Sequence, residues 1–250
     1  MAPNVGDYID HAEERRDVYY AARDVDYMIT TCPSWWWDRG NSDQYLRSTE
    51  CTISVVEEDR TYKAAYRVAT DSIRFFKDEY RGWSWRDIDE AKPVIFVAPP
   101  DNANRCFTPR GNSPCGTLLD IMDIFFEEMQ PLVAPNWRPW ATIFRGLNIE
   151  DKLRILESLP PLFRPSQDFP VQSHLLIIVG IDRADNPKTR AQVMQFLQVV
   201  EKMFVANRKG KVLLFTDSPW SGLSDMVKDP SCVVDLKKRY ERSTESSDEA

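Results

Sequence analysis

The sequence lacks a long apolar run, an excess of positive charge and any closely spaced cysteine pair. No apolar stretch approaches the roughly 20 residues that a membrane-spanning helix needs. Asp and Glu number 39 against 32 Lys and Arg, a net charge of −7, which argues against a broad nucleic-acid surface. The 5 cysteines contain no C-x-x-C motif, so neither a disulfide framework nor a zinc site is indicated. We expect a cytoplasmic protein that contacts neither membrane nor nucleic acid and holds no metal.

Histidine is also scarce, and its scarcity limits the classes of enzyme. The chain has 2 histidines, His11 within a charged segment and His174 at the start of an apolar run. No G-x-S-x-G motif occurs, so no nucleophile stands on a sharp strand-to-helix turn. A hydrolase with a Ser-His-Asp or Cys-His arrangement is therefore poorly supported.

Helical spacing of apolar residues dominates the first third of the chain. Residues 7–31 and 59–81 each place apolar side chains on one helical face, and a shorter helix or turn is expected at 83–92. The segment CPSWWWDRGNS, residues 32–42, interrupts the pattern with proline, glycine and asparagine. We therefore predict a helical N-terminal region at residues 1–91.

Three consecutive tryptophans in that interruption, Trp35 to Trp37, cannot all face the same way. Large aromatic side chains bury well, so we expect them to pack the N-terminal region onto the rest of the chain. Tryptophan is also enriched at the centres of interfaces, and an exposed surface for a partner is the alternative.

From residue 92 onward, apolar runs alternate with amphipathic helices. Strands are predicted at 93–98, 174–181, 211–216 and 231–236, and helices at 115–133, 149–159, 187–207 and 221–228. This alternation predicts an α/β fold, a parallel sheet flanked by helices on both faces in three Rossmannoid layers. We assign residues 92–236 to this domain and expect the charged tail, residues 237–250, to be disordered.

Ligands of such sheets bind outside the carboxyl ends of the strands, and the first candidate there is a glycine loop. In RGNSPCGTLL, Gly111 and Gly116 have the spacing of a phosphate-binding loop, and Thr117 follows at once. The lysine that should precede Thr117 is absent, so the positive charge that would neutralise the phosphate is missing. A flexible loop before a helix is the alternative.

Acidic and hydroxyl side chains follow two other predicted strands. Asp182 and Asp185 come after the run LLIIVGI, where a magnesium-binding acid and a second, water-orienting acid would lie. Asp185 or Asn186 is equally suited to cap a helix whose first residue is Pro187. Thr216 ends KVLLFT at the same sheet edge, where it would sense a terminal phosphate, and the following Asp-Ser-Pro alternatively forms a turn.

These segments together resemble the nucleotide-binding domain of STAND-class P-loop NTPases, the NACHT-like group that is abundant in filamentous fungi. The resemblance covers about residues 92–236: HLLIIVGIDRAD is similar to the family's Walker B strand, and LLFTDSP to its sensor strand. By that resemblance, Asp182 matches the second Walker B acid and Thr216 the sensor threonine. The resemblance implies a P-loop NTPase-like fold preceded by a helical annex.

Three departures from the family pattern bear on activity. Val179 stands where the first Walker B acid belongs, the loop lysine is missing, and DSPW replaces the sensor arginine. With these losses, the resemblance implies a degenerate pseudo-NTPase without cofactor, an intracellular interaction or regulatory module with a protein partner. One alternative is a weak ATPase or GTPase that binds nucleotide and magnesium through the lysine-less loop and Thr216, with Asp182 and Asp185 as catalytic acids. Another is a structural fragment of a larger multidomain protein.

Overall fold

The computed structural model describes most of the chain in separate stretches: residues 18–23, 36, 39–57, 61–99, 114–129, 132, 140–159, 174–208, 210–217, 220 and 233–235. Its strands are β1 Ile53–Glu57, β2 Val94–Val97, β3 His174–Val179, β4 Gly210–Thr216 and β5 Val233–Asp235. They form one parallel sheet in the order β2-β3-β4-β1-β5. Within the stretches described here, no helix combines the length and apolarity that crossing a membrane requires.

Helices precede, connect and cover these strands. They are α1 Val18–Arg23, α2 Arg39–Arg47, α3 Thr61–Glu79, α4 Trp85–Ala91, α5 Pro114–Met129, α6 Trp140–Gly146, α7 Ile149–Ser158, α8 Ile181–Ala184 and α9 Arg190–Val200, which continues as a π-helical segment, Glu201–Ala206. The predicted α/β architecture, a parallel sheet with helices packed on its faces, is confirmed.

Alternate residues of the strands belong to two separate apolar cores. On one face, α5, α7 and α9 pack against residues that include Ile95, Ile178 and Leu214, and we call this the α5 core. On the other face, α1 and α3 pack against residues that include Phe96 and Phe215, and we call this the α3 core. Since successive side chains of a strand point to opposite faces, the central strands need apolar residues at nearly every position.

Strand β1 corrects the expectation that residues 1–91 are helical throughout. It runs parallel to β4, with Ile53 opposite Val212 and Glu57 opposite Thr216, and it also pairs with β5. The segment ISVVE is short and includes a serine and a glutamate, so its sequence signal is weak and its pairing with β4 defines it. The sheet therefore contains a strand that precedes the domain boundary predicted at residue 92.

The N-terminal helices are only partly as predicted. The helix expected at 7–31 is described at Val18–Arg23, whereas α2 begins at Arg39, inside the segment that we expected to interrupt helical structure. Trp36 is 4% exposed and belongs to the α3 core. The expectation that a tryptophan packs this region onto the sheet is confirmed for Trp36, while Trp35 and Trp37 lie outside the described residues.

The order of the strands creates one topological switch point. From β1 the chain passes through α3, on the α3 core face, to β2 at the far edge of the sheet. It then returns through β3 to β4 by helices on the opposite face. Because the helix after β1 lies on one face and the helices after β2 and β3 lie on the other, the chain reverses direction between β1 and its neighbour β4. Ligands of open α/β sheets bind at the carboxyl ends of the strands beside such a reversal.

Candidate functional site

The polar residues at the switch point come from three parts of the chain. Thr61 is the first residue of α3, Asp182 and Arg183 lie on α8, and Asp217 directly follows β4. Thr61 is buried and Asp217 is exposed. We call these four residues the switch-point cluster.

The turn at Gly180 places Asp182 and Arg183 in the cluster. Gly180 has a φ of 72°, in the left-handed region that favours glycine, and it separates β3 from α8. Its N–H donates a hydrogen bond to the carbonyl of Phe215, at 2.8 Å, so the end of β3 is tied to the end of β4. Ile181 is buried in the α5 core and fixes the first turn of α8.

The carboxylate of Asp217 is the acceptor at the centre of the cluster. The Nε–H of Arg183 and the hydroxyl of Thr61 both donate hydrogen bonds to it. The backbone N–H of Asp217 in turn donates to Oδ2 of Asp182, at 3.2 Å. A single acidic residue therefore links α3, α8 and β4.

The two carboxyl groups of the cluster have pKa values shifted in opposite directions. Burial raises the pKa of Asp182, and the negative charge of Asp217 raises it further. Burial alone would also raise the pKa of Asp217, but the hydrogen bonds from Arg183 and Thr61 outweigh it and lower that pKa. At neutral pH Asp217 is thus the carboxylate that its surroundings stabilise as an anion.

Replacing Asp182 by Asn is expected to leave the free energy of unfolding at pH 7 unchanged or to raise it by up to about 1 kcal/mol. The folded-state pKa of Asp182 lies above its ordinary value of 3.8. Wild type therefore gains stability relative to the variant as pH falls through the raised pKa, and the difference closes below about pH 4. Urea unfolding at neutral and acidic pH measures this. A variant clearly less stable than wild type at pH 7 would contradict the sign.

Asp185 has a different environment from Asp182. Its Oδ2 accepts hydrogen bonds from Nε1 of Trp220, at 2.9 Å, and from Arg190, at 3.3 Å. The Oδ1 of Asn186 accepts from the backbone N–H groups of Lys188 and Thr189, at 2.7 and 3.2 Å. Asn186, and not Asp185, therefore accepts the backbone N–H groups of the turn before α9. Helix α9 begins at Arg190, so the prediction of Pro187 as its first residue is wrong.

Thr216 lies at the carboxyl end of β4, as predicted. It is fully buried, and within the described residues its hydroxyl has no hydrogen-bond partner. By the alternation of β4, its side chain is on the face of Val212 and Leu214, away from α3. Thr216 is thus adjacent to Asp217 in sequence, but the two side chains belong to opposite faces of the sheet.

The glycine loop is not the segment that follows the switch-point strand. Gly116 and Thr117 are buried in the first turns of α5, which follows the edge strand β2. Gly111 lies outside the described residues. The segment between β1 and α3 is residues 58–60, and residues 57–61 read EEDRT, without glycine or lysine.

Sequence reasoning missed Thr61 and Arg183 as members of the site. The strand before Thr61 was not predicted, so nothing indicated that this threonine begins a helix at the carboxyl edge of the sheet. Arg183 has no counterpart in the motifs of the resemblance, which concern the acids on either side of it. His174, by contrast, lies at the amino end of β3, where its Nδ1–H donates to the carbonyl of Lys92 at 3.0 Å.

The described part of the chain has no group of three or more His, Cys, Asp or Glu side chains that could hold a metal ion. A guanidinium and a hydroxyl together bind one oxyanion, and in this structure that oxyanion is the carboxylate of Asp217.

Comparison with known proteins finds no similarity on which function could rest. No family model matches the chain, and neither a curated protein nor a solved structure is significantly similar to it.

Proposed function

We propose that this chain is a non-catalytic relative of the STAND-class P-loop NTPases, an intracellular module whose sheet serves as a scaffold for a protein partner. The observation that carries the proposal is the position of Asp217. Its carboxylate accepts the hydrogen bonds of Arg183 and Thr61 at the switch point, where a nucleotide hydrolase of this architecture would hold phosphate.

The strand order supports the P-loop NTPase-like part of the proposal. A phosphate loop joins a strand at the switch point to the N-terminus of a helix, whose N–H groups bind the phosphate. Here that strand is β1 and that helix is α3. The Walker B-like and sensor-like segments belong to β3 and β4; β4 is the neighbour of β1, and β3 lies on the far side of β4.

The segment after β1 supports the non-catalytic part. A phosphate loop needs glycines for close backbone approach and a lysine for charge neutralisation. Residues 57–61, EEDRT, supply neither: three of the five are acidic, and the positive charge among them belongs to Arg60. The sequence of this segment therefore lacks both features of a phosphate loop.

A weak nucleotide hydrolase remains the second candidate because of one observation. Asp182 and Asp217 are neighbouring carboxyl groups whose pKa values are shifted apart, which is the arrangement of an acid and base pair. In that reading, Asp182 would take part in proton transfer beside a bound phosphate. Asp217 would have to leave Arg183 and Thr61 first.

Thermal unfolding with millimolar ATP or GTP and magnesium tests the proposal. We expect no change in Tm for wild type beyond that caused by magnesium chloride alone. A ligand at about 100 times its Kd would stabilise the folded state by about 2.7 kcal/mol, or roughly 5–10 °C for a domain of this size. A shift of that size would overturn the proposal.

Asp182→Asn is the matched control for this measurement. Asp182 lies in the cluster and is partly exposed, so the variant should fold normally, whereas a substitution at Gly116 would disturb the buried face of α5. A nucleotide-dependent shift in wild type that Asp182→Asn loses would assign the binding to the switch point and favour the hydrolase. Equal shifts in both proteins would place nucleotide elsewhere and would equally end the non-binding proposal.

A further inference from the structure

The switch-point cluster holds an internal anion with the groups that usually bind an external one. Arg183 supplies a guanidinium, and Thr61 supplies a hydroxyl at the first position of a 19-residue helix. Guanidinium groups, hydroxyls and helix N-termini are shared by carboxylate and phosphate recognition. The ligand that occupies these donors is a side chain of the same chain, Asp217.

We propose that Asp217 makes an autoinhibitory contact, in which its carboxylate excludes phosphate-class oxyanions from Arg183 and Thr61. This inference rests on the proposed function, since it explains how the same switch point is kept closed to phosphate. It goes further, because it treats the donors as a working oxyanion site that one side chain occupies.

Two properties of Asp217 suit it to this role. The side chain of Asp217 is 41% exposed and that of Arg183 is 22% exposed, so solvent reaches the contact between them. Burial alone would raise the pKa of Asp217, but the hydrogen bonds from Arg183 and Thr61 lower it below its usual value. The carboxylate is therefore charged at neutral pH. Asp182, whose Oδ2 accepts the backbone N–H of Asp217, holds the main chain in place.

In this site the carboxylate of Asp217 competes with an external oxyanion for Arg183 and Thr61. The apparent affinity for an external oxyanion is the intrinsic affinity multiplied by the fraction of molecules in which Asp217 has left its donors. If that fraction is about one in ten or less, removing the carboxylate tightens binding about tenfold or more. The backbone N–H of residue 217 can still donate to Asp182 after the change, so one of the three hydrogen bonds at this position is kept.

The experiment compares inorganic phosphate binding by wild type and Asp217→Ala, measured by titration calorimetry and by Tm at constant ionic strength against sodium chloride. We expect wild type to show no phosphate binding in the millimolar range. The Kd of Asp217→Ala for phosphate should be at least about tenfold lower than the limit that the wild-type titration sets. Asp217→Asn keeps the shape of the side chain and should show the same gain in phosphate binding. It replaces the alanine variant in the test if that variant folds poorly.

Two further variants make the result specific. Asp185→Asn removes a carboxylate from another arginine at the same sheet edge, Arg190, and should gain no phosphate binding. Adding Arg183→Gln to Asp217→Ala should abolish the gain. General stabilisation by phosphate would raise Tm in all variants alike.

The outcomes separate this inference from the proposed function. If Asp217→Ala and Asp217→Asn bind phosphate no better than wild type, the autoinhibitory contact is overturned and the non-catalytic scaffold stands. Equal, tight binding by wild type and both variants also overturns it, because Asp217 then excludes nothing. Binding of magnesium and nucleotide by wild type would instead overturn the proposed function.

Discussion

Asp123→Asn is expected to lower the free energy of unfolding by about 3–5 kcal/mol, because it removes the counter-charge of a fully buried lysine. Lys152, on α7, is 0% exposed, and its ammonium forms an ion pair with Asp123 on α5. Without that partner, Lys152 must either stay charged in the apolar α5 core or lose its proton, and both cost free energy.

Two further contacts of Lys152 are with Phe144, and neither carries a negative charge. Its ammonium donates to the backbone carbonyl of Phe144 and lies 4.3 Å from the centroid of the Phe144 ring. Both interactions persist in Asp123→Asn, but neither neutralises a buried cation. Urea unfolding monitored by circular dichroism gives the change, provided that the slope of the transition matches that of wild type.

A surface ion pair between α5, the helix of Asp123, and α6 provides the control. Glu127 pairs with Arg145, whose side chain is 63% exposed, so Glu127→Gln should cost less than about 1 kcal/mol. The double variant Asp123→Leu with Lys152→Met should regain most of the loss, since well-packed apolar residues can replace a buried ion pair. A loss below about 1 kcal/mol in Asp123→Asn would mean that water reaches Lys152, contrary to its burial.

The strands that sequence reasoning predicted well are those buried on both faces. In β3 and β4 every residue is buried, so the sequence shows a nearly continuous apolar run in LLIIV and VLLF. Such runs are recognisable without knowledge of the partner strands. Helices α5 and α7 were also predicted close to their observed bounds, because each has a recognisable apolar pattern.

Strand β1 could not be predicted in the same way. Ser54, its second residue, is fully buried, and Glu57, its last, is exposed, so the segment has neither a continuous apolar run nor clear alternation. Its strand structure depends on pairing with β4, more than 150 positions away in sequence. Interactions at that separation leave no local signal.

The same limit explains what was predicted of the site. Asp182 and Thr216 could be assigned to the carboxyl edge because each follows a recognisable strand. Which side chains meet across that edge depends on the strand order, and the position of β1 beside β4 brings Thr61 to Asp217. The spacing of Gly111 and Gly116 is a local pattern, and it predicts a phosphate loop before α5, the helix that follows the edge strand β2, rather than before α3.

Gly210→Ala is expected to lower the free energy of unfolding by about 3 kcal/mol, because the added methyl group would collide with the main chain of the neighbouring strand. Gly210 begins β4 opposite His174, the first residue of β3. A Cβ at Gly210 would overlap the carbonyl oxygen of His174 and lie 3.1 Å from its carbonyl carbon and 3.2 Å from Cδ1 of Phe204. The side chain of Phe204 can rotate, but a backbone carbonyl within a parallel sheet cannot.

Gly146→Ala separates this collision from the general effect of adding a methyl group. An added Cβ at Gly146 has no neighbouring atom within 4 Å, so this variant should be as stable as wild type or slightly more stable. If Gly210→Ala also retained wild-type stability, β4 would have to begin farther from β3 than the structure places it. The pairing that continues along both strands to Val179 and Phe215 would then be in doubt, and with it the position of Asp217 beside Arg183. The expected loss therefore tests the sheet geometry on which the switch-point cluster depends.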